Sequence, residues 1–454
     1  VGMQEKEVAI NGRNAIDVEL APSVQEMEEV VVTAMGISKE KKSLGYSTSQ
    51  ASGSDIEEGG SPDIESGLSG KISGLEVRQS SGMPGAPSQI LIRGATSFSS
   101  DNQPLYVVDG MPIKSDSDYG SNVTGSAYSN RAMDIPPSQI ESINVLKGQA
   151  AAALYGMRAS NGVIIIETKS GANAEMGKPR VTINSSYTMD NVSTLPDVQQ
   201  TWAQGSNGNF NPGGSSMSWG PKIENLPDDP VYGGNNYSGH AGEFFDPYKN
   251  EWAEPKAYNN PENFYDRNGQ TFKNSVSISN KIEAGNYSVS FSNTTQNGII
   301  KNTGMDRYTA KASGNFDLTD KWSVKFSTNF SKNQIRKVPS GNDSWLFTVY
   351  GAPPSYDLAG TKSDLGNVEG EQFGEYRQIS YRTGSVGNNP YWAIDNNEYK
   401  EQTNRFFGNA SLQYQPFEWM TAKYQLGIDS YTTDNKDYTE MGMGALPGSA
   451  NLPT

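Results

Sequence analysis

The chain contains no cysteine, so neither a disulfide framework nor a thiolate metal site is available to it. Histidine occurs once, as His240 in "NNYSGHAGEFF". A lone imidazole in such a loop reads as a solvent-exposed side chain, because a metal site needs partners. Long hydrophobic runs are missing too, and nothing approaches the ~18 consecutive apolar residues of a membrane-crossing helix. That excludes a helical membrane protein but leaves a transmembrane β-barrel open, since alternating strands give only a weak hydropathy signal. A basic stripe is also lacking. With a formal net charge of −15 the chain offers nothing for neutralising phosphates, which argues against a nucleic-acid partner. No signal peptide is visible at Val1, and "KEVAINGRNAIDVEL" opens inside a strand-like pattern, as expected of a domain whose earlier part is missing.

What the chain does have is length and polarity: 454 residues, 34% of them hydrophobic, with 48 glycines and 23 tyrosines. Its mean hydropathy is −0.64. Four regions follow. Residues 1–21 alternate as short strands through Val8, Ile10, Ile16, Val18 and Leu20, too little to close a core. Residues 22–55 read as a polar linker broken by Val30, Val31 and Val32. Three β-branched residues in a row favour extended backbone, and no partner strand is evident at hairpin distance, so this strand former invites an external partner. Residues 56–171 read as a compact α/β unit. Ser61 is the expected N-cap of a helix with Pro62 in its first turn and Ile64, Leu68 and Ile72 on one face. Strands are expected at 75–79, 89–92, 105–108, 140–146 and 163–168, with a small-residue helix at 149–154. The apolar run Val163–Ile166 reads as a central strand buried on both faces.

From about 172 to 454 the period changes to two. Val276 and Ile278, then Tyr287, Val289 and Phe291, then Trp322, Val324, Phe326 and Phe330, and later Tyr424, Leu426 and Ile428 share one register. Lys281, Lys311, Lys325 and Lys423 fall in the other, as required where one face meets lipid and the opposite face a wet lumen. Seven such strands are expected between Val181 and Tyr431. Short turns at 284–286, 318–321 and 415–418 alternate with longer links, two of them very long, at about 191–272 and 335–404. Asn280 and Asn293 interrupt the apolar register, as a bulge or an interfacial position would explain.

The stretch "SINVLKGQAAAALYGMRASNGVIIIETKSG" resembles the plug-domain signature of TonB-dependent outer-membrane transporters. "MEEVVVTAMGISKEKKSLGYS", "LSGKISGLEV", "SSGMPGAPSQILIRGATSF" and "NQPLYVVDGMPI" are similar to the SusC/RagA branch of Bacteroidota. The resemblance implies a mainly β fold: the end of a carboxypeptidase-regulatory-like β-sandwich at 1–21, a linker with a TonB box, an α/β plug, and the first strands of a large antiparallel barrel. Family barrels close with about 22 strands, so seven imply a piece truncated at both ends and unable to insert alone. It also implies active import of an oligosaccharide or oligopeptide across the outer membrane. The partners it implies are TonB with its inner-membrane energising complex, a SusD-like lipoprotein lid, outer-membrane lipid, and a dimer of transporter–lid pairs. No cofactor and no metal are expected.

Individual residues carry competing readings. Glu29, Val30, Val31, Val32 and Thr33 fit a linker or an ordinary short strand as well as a docking segment; the resemblance implies TonB binding. Arg93 fits a plain surface position or an ion-pair or turn anchor of the plug, and Lys147 of "LKG" is a second candidate anchor. Asp116 and Asp118 lack the glycine and closing glutamate of a calcium loop and read as solvated. Trp202, Trp219, Trp252, Trp345 and Trp392 lie in the long links, where stacking on a ligand, packing of loops and an aromatic girdle all fit. Besides an importer, a receptor for another ligand such as a siderophore and a β-rich adhesion module compete. An enzyme does not, since no carboxylate pair or nucleophile and base stand at recognisable spacing.

Overall fold

The computed structural model describes residues 30–32, 38–40, 48–79, 81–95, 102–115, 124–125, 128–148, 151–213, 217–265, 267–341, 346–360, 379–381, 388–440 and 446–447. The expected sandwich remnant at 1–21, Glu29, Thr33, Asp116, Asp118 and Trp345 lie outside them. Val30–Val32 (β1) pairs antiparallel with Ser38–Glu40 (β2), Val31 opposite Lys39. The expectation of no partner strand at hairpin distance is therefore corrected. Ser-Lys-Glu has no hydrophobic alternation, so a pattern search passes over it, yet backbone pairing needs no particular side chain.

The α/β unit begins earlier than position 56, with β3 (Thr48–Ser52) already hydrogen-bonded as the edge of its sheet and α1 (Gly53–Glu58) following directly. Next come α2 (Ile64–Leu68), the hairpin β4 (Leu75–Gln79) and β5 (Ser88–Ile92), β6 (Leu105–Val108), β7 (Met111–Ile113), β8 (Ile140–Leu146), α3 (Ala152–Tyr155) and β9 (Val163–Thr168). The five-stranded sheet runs β3-β8-β9-β6-β7, with β9 in the middle. It is mixed, since β9 pairs parallel with β6 and antiparallel with β8. Alternation sends Ile164 and Ile166 into one core with Tyr106, Val108 and Ile143, and Val163 and Ile165 into a second with Val107, Leu146 and Ala159. At about 1.5–3 kcal/mol per fully buried side chain, this strand alone is a large part of the unit's stability. The N-cap of α2 is Asp63 and not Ser61: its carboxylate accepts from the Ser66 amide at 2.8 Å, and Pro62 stands before the cap. Ile64, Leu68 and Ile72 are buried as the spacing requires. The small-residue helix is described from Ala152 and ends at Gly156, whose φ of 75° is open to glycine without strain.

The second region is one antiparallel sheet of seven strands in chain order: β10 (Arg180–Asp190), β11 (Gly269–Ile282), β12 (Gly285–Asn297), β13 (Gly304–Thr319), β14 (Trp322–Lys337), β15 (Glu398–Phe417) and β16 (Met420–Tyr438). Two-residue turns at 283–284, 320–321 and 418–419 mark one end; the links 191–268, 298–303 and 338–397 mark the other. Its burial is inside out. Ile183, Phe272, Val276, Ile278, Phe291, Phe330, Tyr424, Leu426 and Ile428 are exposed, whereas Arg307, Lys311, Asn329, Ser331, Thr403 and Arg405 in the other register are buried. Polar residues are buried because the α/β unit packs against that face, and the apolar face is the one a bilayer would cover. No register shift interrupts β11–β12, so a bulge does not explain the two asparagines. Asn280 stands near the turn end and Asn293 opposite Asn274 beyond Phe291, at the two margins of the apolar band. No helix among the described residues is long and apolar enough to cross a membrane.

The long links fold into clusters of their own. Ala203, Ile223, Leu226 and Phe244 form one, Tyr248, Val349, Tyr356, Leu358 and Tyr381 another, and Ile300, Val338, Trp392 and Ile394 a third that touches Met83 at the apex of the α/β unit.

Candidate functional site

The contacts between the α/β unit and the inner face of the sheet are the chemically distinctive part of the molecule. Along β10–β13 the wall donates to backbone oxygens. Lys273 Nζ reaches the carbonyls of Gly60 and Ser61, the latter at 2.6 Å. Arg307 donates from Nη1 to the Met133 oxygen and from Nη2 to the Pro62 oxygen, both at 2.7 Å. Lys311 Nζ and Ser313 Oγ share the Lys169 carbonyl. Two side-chain bonds join them, Asn184 to the Glu57 carboxylate at 2.9 Å and Gln139 to the Thr309 hydroxyl at 3.0 Å.

Along β14–β16 most of the partners are ionised side chains. Glu401 accepts from Arg131 Nη2 at 2.9 Å, from Lys337 Nζ at 2.7 Å, and from the amide and hydroxyl of Ser129. Arg405 grips Asp429 in a fork at 2.8 and 2.7 Å, donates to Asp134 at 3.1 Å and also holds the carbonyls of Arg131 and Lys114. Asp134 additionally accepts from Asn333. Arg131, Lys337 and Arg405 thus face Glu401, Asp134 and Asp429, three cations against three carboxylates. Arg131, Asp134, Glu401 and Arg405 are all at least 98% buried, so each charge depends on the others for what water would have supplied.

Inside the α/β unit, Glu65 accepts from the Tyr106 hydroxyl at 2.8 Å and from Asn130 Nδ2 at 2.7 Å. Burial pushes its carboxyl up to about 7, against the opposing pull of those hydrogen bonds. Asn130 lies between Ser129 and Arg131, so the interior carboxyl and the wall's ionic cluster share one short segment. At the turn end a polar cavity of about 830 Å³ separates the unit from the wall, lined by Glu141, Glu167, Lys169, Lys325 and Lys423; burial raises the Glu167 carboxyl above its usual range.

The candidates from sequence are dispersed. Lys147 is buried and donates to Ser49 and Ser73, so it ties β8 to β3 and to the turn after α2 within the unit. Arg93 has an exposed side chain and a φ of 61°; its amide bonds Gly74 at 2.8 Å, which is a turn role, and no ion pair involves it among the described residues. Trp202 and Trp219 are exposed. Trp252 is half-buried and stacks on His240 at 4.2 Å, while His240 Nδ1 meets Glu243 at 2.7 Å; the imidazole read as solvent-exposed belongs instead to an aromatic cluster with Tyr237 and Phe245 nearby. Trp392 is 1% exposed, so it packs loops together and contacts no ligand in this arrangement. Among the described residues no group of three or more acidic or histidine side chains is placed to hold a metal ion.

Glu401, Arg405, Arg131, Asp134, Lys337 and Arg307 were not singled out from sequence. The available signal was charge in the inward register of long strands, which barrel strands ordinarily reserve for lumen contacts.

A family model described as TonB-dependent Receptor Plug Domain matches residues 40–163. SusC of Bacteroides thetaiotaomicron is 27% identical over 439 residues, covering 91% of this chain and 37% of SusC. TonB-dependent receptor P26 of Formosa agariphila is 28% identical over 418 residues, covering 92% of this chain and 36% of P26. The solved RagAB peptide importer in its open-open state superimposes with a TM-score of 0.63 at 21% identity, over 89% of this chain and 42% of that one. The chain therefore spans little more than a third of the length of these curated relatives.

Proposed function

The chain belongs to the TonB-dependent receptors of the outer membrane, a non-enzymatic β-barrel family, and is SusC/RagA-like; from that premise we propose that the whole protein actively imports a bulky nutrient, an oligosaccharide or oligopeptide. One observation supports this reading above others: a folded domain occupies the polar inner face of a membrane-type sheet, held by buried charge. A lumen blocked in that way transmits solute only when the plug is displaced, and displacement of so many buried bonds needs work from outside the membrane.

In this reading residues 22–47 carry the TonB-docking segment, the plug runs to about 171, and 172–454 form the first part of the barrel. Glu29–Thr33 pairs as an edge strand with TonB, either along the edge of β1 that faces away from β2 or in place of β2. Four or five backbone bonds at a net ~1 kcal/mol each give a weak, transient contact, suited to one pull per cycle. A SusD-like lipoprotein closes the loop end, and the assembly is a dimer of such pairs. RagAB is a peptide importer, which favours a peptide cargo here over a glycan; among the described loop tryptophans, Trp202 and Trp219 are exposed and available to either.

The test is Val31→Pro in the full-length protein, which removes one donor from β1. Uptake should be lost while expression, folding and external ligand binding persist, and deletion of 28–34 should do the same. Normal uptake by the deletion variant would show that this segment does not couple energy.

A further inference from the structure

Outward-facing residues of β14, β15 and β16 change character at a common height. On β14 the sequence runs Trp322, Val324, Phe326, Thr328 and Phe330, then Lys332, Gln334 and Arg336; β15 turns polar after Phe406 and β16 after Ile428. Trp322 to Phe330 spans about 20 Å of band height at a ~40° tilt, close to the hydrophobic belt of outer-membrane barrels. Six residues further on, about 15 Å above the belt by the same geometry, Arg336 stands directly opposite Lys400, and Lys400 opposite Lys436.

Three cations in one lateral row on adjacent strands repel one another. Glu398 bridges Lys400 and Lys436, but Arg336 and Arg267 beside it have no ion-pair partner among the described residues. Asp395 at the rim is already paired with Lys301. The row borders a concavity of about 520 Å³ lined by the link residues 394–397, where Arg267, Arg336, Lys400 and Lys436 converge against two carboxylates, Glu398 and the Asp395 already paired with Lys301, in a chain of net charge −15. Asp306 and Asp434 occupy the two ends of the row one step nearer the belt, separated by the mutually bonded Gln334 and Gln402; they flank the cations and leave the centre positive.

We propose that this outer flank binds the phosphorylated saccharide headgroup of an outer-leaflet glycolipid. Arg336, Lys400 and Lys436 stand in the outward register, on the face of the wall opposite to the one that the plug covers, and on the same face as the band Trp322–Phe330 on which a lipid would pack. Guanidinium and ammonium groups in a row suit phosphate oxygens, with Arg336 able to bind in a fork. The inference rests on the reading that the apolar face meets lipid, but lipid binding and nutrient uptake are measured separately, so either can fail alone.

The full-length receptor is purified in mild detergent, stripped of lipid, and titrated with diphosphorylated lipid A, with the same glycolipid after phosphatase treatment, and with inorganic phosphate. Tight binding is expected for the first only. In the triple variant Arg336→Gln/Lys400→Gln/Lys436→Gln the affinity should fall on the order of 100-fold, about fivefold per cation. These side chains are exposed, so heat-modifiable mobility of the barrel should be unchanged and serves as the folding control. Equal binding of the phosphorylated and dephosphorylated lipids, or an unchanged affinity in the variant, overturns the proposal. Displacement of lipid A by millimolar inorganic phosphate also overturns it, in favour of a free-anion site.

Discussion

Lys273, Arg307 and Lys311 reach oxygens of the plug backbone, whereas Lys337, Glu401 and Arg405 bond mainly with ionised side chains of the wall and of the plug. The two arcs of one wall therefore hold one domain by different rules. A carbonyl is present whatever residue bears it and cannot lose or gain a proton, so the arc of β10–β13 tolerates change in the plug sequence. The arc of β14–β16 is a balanced set of buried charges, and a balanced set fails as a unit: removing one member strands the rest in a medium that does not solvate them. The plug segments concerned also differ. Residues 57–63 and Lys169 belong to the first arc, Lys114 and 129–131 to the second, and 133–134 is held from both, with Arg307 on the Met133 carbonyl and Arg405 on Asp134; loosening the charge set would therefore free one side of the plug while the other stayed tethered.

The largest effect is expected from Glu401→Ala. Arg131 and Lys337 would lose the buried carboxylate that they share, at a cost of about 3–5 kcal/mol. Amide exchange in the full-length receptor should show segment 128–135 opening more easily by that amount, while 57–63 keeps its protection. Equal loosening of both segments would mean that the arcs act as one.

Glu65 gives a pH-dependent version of the same contrast. Its carboxyl is raised from 4.5 to about 7, so between those values the folded plug binds a proton that the unfolded chain has released. Stability is therefore highest below pH 4.5, falls as pH rises through the window and is constant above 7, by about 3 kcal/mol in total at ~1.4 kcal/mol per unit. Exchange of the β6 amides, corrected for intrinsic pH dependence, should follow that slope, and Glu65→Gln should flatten it. A wild-type plug with no slope between pH 4.5 and 7 would show that Glu65 is ionised throughout.

Much of the scaffold was legible because period and burial coincide. Val163–Thr168 and Leu105–Val108 stand where β-branched runs placed them, and the seven wall strands follow from strict alternation. Other features were hidden for physical reasons. Ser38–Glu40 pairs through its backbone alone and leaves no side-chain pattern. Asp63 and Ser61 are comparable caps, and only the conformation around Pro62 decides between them. Arg131 and Glu401 are 270 positions apart, so the pairing that makes each meaningful exists only after the wall has formed around the plug. Trp392 is like every loop tryptophan until the links collapse onto it, and the cluster that buries it is gathered from segments far apart in the sequence, among them Ile300, Val338 and Met83.

On the tolerant arc, Lys273→Met removes the donor from the Gly60 and Ser61 carbonyls while keeping the aliphatic stem. Carbonyl oxygens retain a second lone pair and some access to water at the half-buried site, so the expected cost is about 1–3 kcal/mol, below that of Glu401→Ala. Exchange should rise at 59–62 and not at 128–135. A penalty matching Glu401→Ala would erase the distinction between the arcs.

The smallest effect is expected from Glu76→Ala, and it separates burial from bond length. Glu76 and Arg78 form an ion pair at 2.7 Å, the same separation as Lys337 and Glu401. Their side chains are 52% and 60% exposed, against 2% and 4% for the buried pair. Water solvates each exposed partner nearly as well alone, and holding two flexible side chains together costs entropy, so the pair contributes about 0.5 kcal/mol or less and weakens further in salt. Exchange at β4 and β5 should therefore stay within error of wild type. A loss comparable to that of Glu401→Ala would mean that length and geometry set the strength of these contacts, and the argument from desolvation, on which the difference between the two arcs depends, would fail with it.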